Sequence, residues 1–99
     1  MRSVPSAQAL EVPLAELAEI LDDALGGAVR AESLTDATAL YGVVPEIDSL
    51  AVVDILLALE ERYDITIADD EVDEAVFATV GSLRAFAYGK RVERLAADR

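Results

Sequence analysis

Along residues 11–27 the apolar positions recur at helical spacing. Leu14, Leu17, Ile20, Leu21 and Leu25 fall on one side of a helix that starts near Glu11 and stops at Gly26-Gly27. Pro13 suits its first turn, where a missing N–H costs nothing. The pattern predicts a second helix from Asp48 or Ser49 to about Tyr63 and a short third one within Asp69–Val76. A fourth opens near Thr79, a suitable N-cap, and uses Val80, Leu83, Phe86 and Ala87. Gly89 reads as a stop, which leaves residues 89–99 as a basic C-terminal extension, helical or frayed. The stretch "YDITI" alternates too briefly for a strand and has no partner. Residues 1–10 carry no pattern and are expected to be flexible. One connection, roughly 20 residues from Gly27 to Ile47, is long enough that it should be functional or anchored. Leu34, Leu40, Tyr41, Val43, Val44 and Ile47 are available to pin it to the core, and "LTDATALYG" has room for a short helical turn.

The second helix has more apolar residues than one buried face needs. At about 100° per residue, Val52, Ile55, Leu56, Leu59 and Tyr63 cluster on one side. Leu50, Val53 and Leu57 lie nearly opposite, edged by Asp54, Glu61 and, toward one flank, Glu60. The first stripe is a core face. The second has two readings. The long 27–47 connection folds over it, or it is a docking surface whose oily anchors fill pockets while the carboxylates meet Lys or Arg of a partner.

Composition narrows the chemistry. The 99 residues are 54% hydrophobic, enough for one domain with a core. There is no Cys, hence no disulfide and no thiol nucleophile, and no His, the usual general base and commonest metal ligand. Both absences weigh against catalysis. Net charge is −12, and its distribution matters more than its size. From Ala31 to Leu83 there are thirteen acids and one base, Arg62, so this middle segment carries −12 by itself and the rest cancels. Such a field repels nucleic acid and anionic membranes and attracts basic protein surfaces. A solvated surface kept for solubility is the simpler account of the same charge. The sequence has no secretory signal near its start and no run of roughly 18 apolar residues to span a membrane. A cytoplasmic monomer without nucleic-acid partner or membrane insertion is expected. In "DDEVDEA", Asp69, Glu71 and Asp73 alternate as calcium ligands would, but Ala75 and Val76 stand where the loop needs its turn and no Glu closes it. No metal site is predicted.

Ser49 stands apart from Ser3, Ser6, Ser33 and Ser82. It follows a capping aspartate, Asp48, at the start of an amphipathic helix, where free N–H groups and the helix dipole favour an attached phosphate. Without His or Lys nearby in sequence it is a poor nucleophile for catalysis. It is a good attachment point for a phosphodiester.

The run "DSLAVVDILLALEERYDITIADDEV", followed by "FATVGSLRAF", resembles acyl carrier proteins. The resemblance covers roughly Glu11 to Tyr88. It implies an all-α four-helix bundle of the acyl-carrier-protein type, with a carrier domain over 11–88, a long loop between helices 1 and 2 and a short third helix. It further implies a carrier, not an enzyme. Ser49 would bear 4'-phosphopantetheine, placed covalently from coenzyme A by a phosphopantetheinyl transferase, with an acyl group held as a thioester. Asp48 would cap the helix and assist the magnesium-dependent transfer. Leu50, Val53, Asp54, Leu57, Glu60 and Glu61 would meet partner enzymes that activate, transfer or condense acyl groups. Two positions depart from the family: Ile47 precedes the motif where many members have Gly, and Ala68 stands before Asp69 where a Pro is common. "LYGVVPEIDSLAVV" with "FATVGSL" is most similar to free-standing carriers found beside exopolysaccharide and exosortase gene sets. An aminoacyl or peptidyl carrier, and an acidic helical interaction domain without prosthetic group, are the other readings.

Overall fold

The computed structural model describes residues 11–27, 30–41, 44 and 47–97. The expected flexible stretch 1–10 lies outside these residues, as does Val43. Three α-helices form: α1 (Leu14–Ala24), α2 (Ser49–Tyr63) and α3 (Val80–Ala97). Single 3-10 turns occur at Ala31–Ser33 and Asp69–Glu71, and no strand is found among the described residues. No helix among them is long and apolar enough to cross a membrane.

Each helix end has a local cause. Pro13, with extended φ and ψ, precedes α1, and its carbonyl accepts from the amides of Glu16 and Leu17, both at 3.1 Å. The helix closes where Gly26 and Gly27 take φ of 62° and 84°, values that cost L-residues with a Cβ but not glycine. α2 ends at Asp64, left-handed at φ 54°, which Arg94 of α3 holds through its carbonyl (3.2 Å) and its carboxylate (2.9 Å). α3 begins with a reciprocal cap: Ser82 N donates to Thr79 Oγ1 at 3.0 Å and Thr79 N to Ser82 Oγ at 2.9 Å.

Three boundaries differ from the sequence reading. α1 opens at Leu14, not near Glu11, and Pro13 is its N-cap and not part of its first turn. Gly89 does not stop α3, which continues to Ala97 and makes the basic extension helical through that residue. A glycine costs an exposed helix only about 1 kcal/mol. Beyond it Lys90, Arg91 and Arg94 all find partners on other segments: Glu71, the Glu11 carbonyl and Asp64. The short third helix is present as the 3-10 turn Asp69–Glu71 followed by hydrogen-bonded turns. Local carboxylates take the amides that an α-helix would need: Glu71 Oε2 accepts from Ala68 N (2.8 Å), and Asp73 Oδ1 from Val76 N (3.2 Å).

The core joins Leu17 and Leu21 of α1, Ile55 and Leu59 of α2 and Val80 and Leu83 of α3, all sealed from solvent. Phe77 and Leu40 close it from the connecting segments. Among the described residues no polar or charged residue is buried. The long connection is ordered where it is described. Leu34, Leu40 and Ile47 are buried, Val44 is half-buried, and Tyr41 is exposed instead of pinned. The short turn it was expected to hide lies just ahead of "LTDATALYG", at Ala31–Ser33. Its backbone pairs antiparallel with the start of α3: Leu40 N to Ala78 O at 3.0 Å, Val80 N to Thr38 O at 2.9 Å and Gly81 N to Asp36 O at 2.9 Å, around the single bridge Ala39–Thr79. Arg84 clamps the same place, donating to both carboxylate oxygens of Asp36 (2.7 and 2.9 Å) and to the Val12 carbonyl (2.7 Å).

The two faces of α2 have opposite fates. Ile55 and Leu59 are sealed, with Val52, Leu56 and Tyr63 packed partly against the core. Leu50, Val53 and Leu57 are 69%, 50% and 55% exposed, so the long connection does not cover them.

Two stability outcomes follow. Leu59→Ala should lower unfolding free energy by about 2–5 kcal/mol, and Leu57→Ala by no more than about 0.5 kcal/mol, in urea titrations. A Cβ at Gly81 would meet the Asp36 carbonyl oxygen at 3.0 Å. Gly81→Ala should therefore cost about 1–3 kcal/mol, whereas Gly89→Ala, with nothing within 4 Å, should be neutral or stabilising.

Candidate functional site

The Asp48 side chain turns back over the first turn of α2, where Oδ1 accepts from Ala51 N at 2.9 Å while its carbonyl accepts from Val52 N at 3.0 Å. This is an N-cap in the usual geometry. Ser49 is the first helical residue and is exposed. Among the described residues its hydroxyl makes no hydrogen bond, and the amides of Ser49 and Leu50 have no partner. A free hydroxyl thus stands beside two free N–H groups at the positive end of a fifteen-residue helix.

A cavity of about 240 Å³ opens beside Ser49. Val52 of α2, Val72 and Phe77 of the α2–α3 connection, and Tyr41 of the long connection give it apolar walls, and Asp73 and Glu74 stand at its edge. Backbone pairing brings two of these walls together, for Tyr41 N donates to the Phe77 carbonyl at 2.9 Å. Sequence reasoning missed this set. Tyr41 looked like a loop anchor, Phe77 was given no role, and nothing local links either to Ser49.

The residues expected to dock partners divide into three groups. Leu50, Val53 and Leu57 form the exposed stripe. Asp54 and Glu61 are exposed on its flank toward α1 and line an open groove of about 520 Å³ with Ile20, Asp23 and Arg62. Asp23 therefore adds a carboxylate from α1 that the reading of α2 alone did not include; the Asp22-Asp23 pair in the last turn of α1 was its one signal. Glu60 behaves differently. It is half-buried, and its Oε2 accepts from Ile67 N at 2.7 Å, so it is spent on holding the connection after α2.

The end of α2 remote from Ser49 is tied down. Tyr63 Oη donates to Glu16 Oε1 at 2.7 Å, Arg62 reaches Glu19 at 3.1 Å, and the Arg91 guanidinium lies 5.0 Å from the centre of the Tyr63 ring. Burial, then the hydrogen bond to Glu16, pushes the Tyr63 hydroxyl above its ordinary range. These contacts join α1, α2 and α3 at this corner. No group of three or more His, Cys, Asp or Glu side chains among the described residues is arranged to hold a metal. The alternating acids are otherwise employed: Glu71 pairs with Lys90, and Asp73 caps a turn.

A scan of protein-family models and a search of curated proteins give no match. Among solved structures the fold is similar to a holo acyl carrier protein of Nitrosomonas europaea, determined by NMR in solution. The two share 39% sequence identity over 81% of this chain and 95% of that one, with a TM-score of 0.68. Identity at that level across nearly the whole of the other chain, with the same helical architecture, makes this chain a member of the acyl carrier protein family.

Proposed function

We propose that this protein carries an acyl group as a thioester on a 4'-phosphopantetheine arm attached to Ser49 and presents it to partner enzymes. One observation carries the reading. In a chain of this family, an exposed serine with an unengaged hydroxyl opens a capped helix and borders an apolar cavity.

The residues present fit such a group. The free amides of Ser49 and Leu50 and the dipole of α2 suit a phosphodiester. Asp73 and Glu74 add negative charge nearby, so the helix end has to meet the phosphate's charge without help from a side-chain cation lining the cavity. The cavity gives apolar matter attached to Ser49 a place out of water, worth about 0.8 kcal/mol per buried methylene. When attached, the arm supplies a thiol that bonds the acyl carbonyl carbon. The chain's own work is positional. Asp48 fixes the first turn so that Ser49 faces outward. Ser49 gives up its hydroxyl proton as its oxygen bonds the phosphorus nearest the pantetheine of coenzyme A, the pyrophosphate P–O bond breaks, and the nucleotide half of coenzyme A leaves. The cavity lining offers Asp73 and Glu74 but no His or Lys, and the proton passes to a base on the transferase or to one of these carboxylates.

Presentation uses the bare face of α2. Leu50, Val53 and Leu57 are anchors for a partner's apolar pocket, and Asp54, Glu61 and Asp23 form a carboxylate rim for its Lys and Arg. Glu60 contributes charge through a carboxylate with one oxygen already bonded to Ile67 N. The partners are the phosphopantetheinyl transferase and acyl-activating, acyl-transferring or condensing enzymes with basic docking surfaces. The protein works as a cytoplasmic monomer.

Coexpression with a broad-specificity phosphopantetheinyl transferase, followed by intact mass, tests attachment. The parent should gain one arm and Ser49→Ala none; an arm on the alanine variant would sink the assignment. Asp48→Ala should cost about 0.5–2 kcal/mol of stability through the lost cap and should slow attachment. For docking, Asp54→Lys and Glu61→Lys should lower the transferase's kcat/KM, and the loss should shrink as salt rises. Glu32→Lys makes the same charge change at an exposed site away from α2 and should do much less. Equal losses for all three reversals would leave the acidic surface as a matter of solubility alone.

A further inference from the structure

The cavity beside Ser49 has one wall with no α-helix in it. Val72, Asp73, Glu74 and Phe77 come from the connection between α2 and α3, where the regular structure is a single 3-10 turn. Its backbone hydrogen bonds are short in range: Glu71 N to Ala68 O (3.0 Å), Val76 N to Asp73 O (3.1 Å) and Ala78 N to Ala75 O (3.3 Å). Bonds of this kind shape a segment but do not fix it to the rest of the molecule. The two ends are fixed otherwise. Ile67 N is held by Glu60 of α2, and Phe77 is buried with its carbonyl bonded to Tyr41 N.

Between these ends, among the described residues, the polar tie from 68–75 to a distant element is the ammonium of Lys90 in α3. It donates to Glu71 Oε1 at 2.7 Å. The other oxygen of the same carboxylate accepts from Ala68 N at 2.8 Å. One side chain thus closes the 3-10 turn and joins it to α3, one residue ahead of Val72 in the cavity wall. The Lys90 side chain is only 11% exposed and Glu71 31%, so this pair is better shielded than the other ion pairs of the fold. Each partner's hydrogen bond stabilises the other's charge: Glu71 is held below the usual carboxylate range and Lys90 above the usual lysine range.

We propose that Lys90 and Glu71 are positioning residues whose ion pair latches the 68–77 wall to α3 and keeps the cavity beside Ser49 in shape. That the cavity shelters cargo rests on the carrier reading above; that the pair holds the wall does not.

The test has two arms. In the first, amide hydrogen exchange is followed on the chain with Ser49 unmodified. Lys90→Met and Glu71→Gln should speed exchange at residues 71–76 by roughly threefold or more relative to α2, as local opening becomes easier. Lys90→Arg, which keeps a cation there, should resemble the parent. Arg84→Met removes a different α3 tie, to Asp36 and Val12, and should lower the melting temperature without a selective effect at 71–76. Should Lys90→Met fail to fold, Glu71→Gln, which can still accept from Ala68 N, carries the same expectation. Unchanged exchange at 71–76, or a uniform rise along the whole chain, overturns the latch. In the second arm each variant is loaded with a hexanoyl arm from hexanoyl coenzyme A by the transferase, and thioester hydrolysis is timed. Lys90→Met should lose the acyl group faster than the parent and than Arg84→Met. Selective loosening with unchanged hydrolysis overturns the link to the cavity. Failure of the parent to take the arm overturns the carrier reading and leaves the exchange result standing.

Discussion

A helix in a small bundle can bury one face, and in α2 that face is decided by Ile55 and Leu59. Both are sealed in the common core with Leu17, Leu21 and Leu83. Burying each contributes about 1.5–3 kcal/mol, more than any exposed contact on this helix can offset. Once they are buried, the rotation of α2 is fixed. Leu50, Val53 and Leu57 must then face water, Asp54 and Glu61 must flank them, and Ser49 must stand clear at the end of the helix. The exposed stripe of α2 is therefore a by-product of core packing, held without a polar side chain inside the core among the described residues.

The other elements complete the site by leaning on this helix. The two connections send Leu34, Leu40, Ile47, Ile65 and Phe77 into the core, and they are also fastened to helices by polar contacts at a few points. Asp36 is gripped by Arg84, Ile67 by Glu60, Asp64 by Arg94 and Glu71 by Lys90. Three of these four ties end on α3. That explains why α3 is worth extending through a glycine that its surroundings do not require. The helix acts as a rail to which the irregular parts are pinned, and the cavity beside Ser49 lies between two of those parts.

What the sequence made legible was whatever depends on neighbours a few residues apart. The start of α2, its Asp48 cap, the two stripes and the core positions of α1 all repeat at helical spacing, and all stand where the pattern put them. Among the described residues the apolar anchors of the long connection were legible too, apart from Tyr41, because a buried leucine in a loop has few other uses. The cavity was not legible. Its walls come from residues 41, 49, 52 and 72–77, and only the pairing of the Tyr41 amide with the Phe77 carbonyl brings the ends of that list together. The surroundings of Glu60 and Asp23 were not legible for a related reason. A helical wheel gives the direction of a carboxylate but not what stands in front of it: an amide for Glu60, an open groove for Asp23. The end of α3 was left open, helical or frayed, because a glycine's local cost was visible while the distant partners of Arg91 and Arg94 were not.

The pairing of the long connection with the start of α3 also sets an order of events. Thr38 and Val80 are joined by a backbone bond across the whole of α2 and the connection after it. Closing a loop of that size costs entropy before any contact repays it, and the repayment arrives only with the residues that open α3. In a chain emerging from its N-terminus, α1 and α2 can meet while residues 77–81 do not yet exist. During that interval the long connection has nothing to pair with, and Leu34 and Leu40 lack the lid that Phe77 provides. Ile55 and Leu59 of α2 then share a core with the leucines of α1 but not yet with Phe77, Val80 and Leu83. Synthesis of the last helix completes that core.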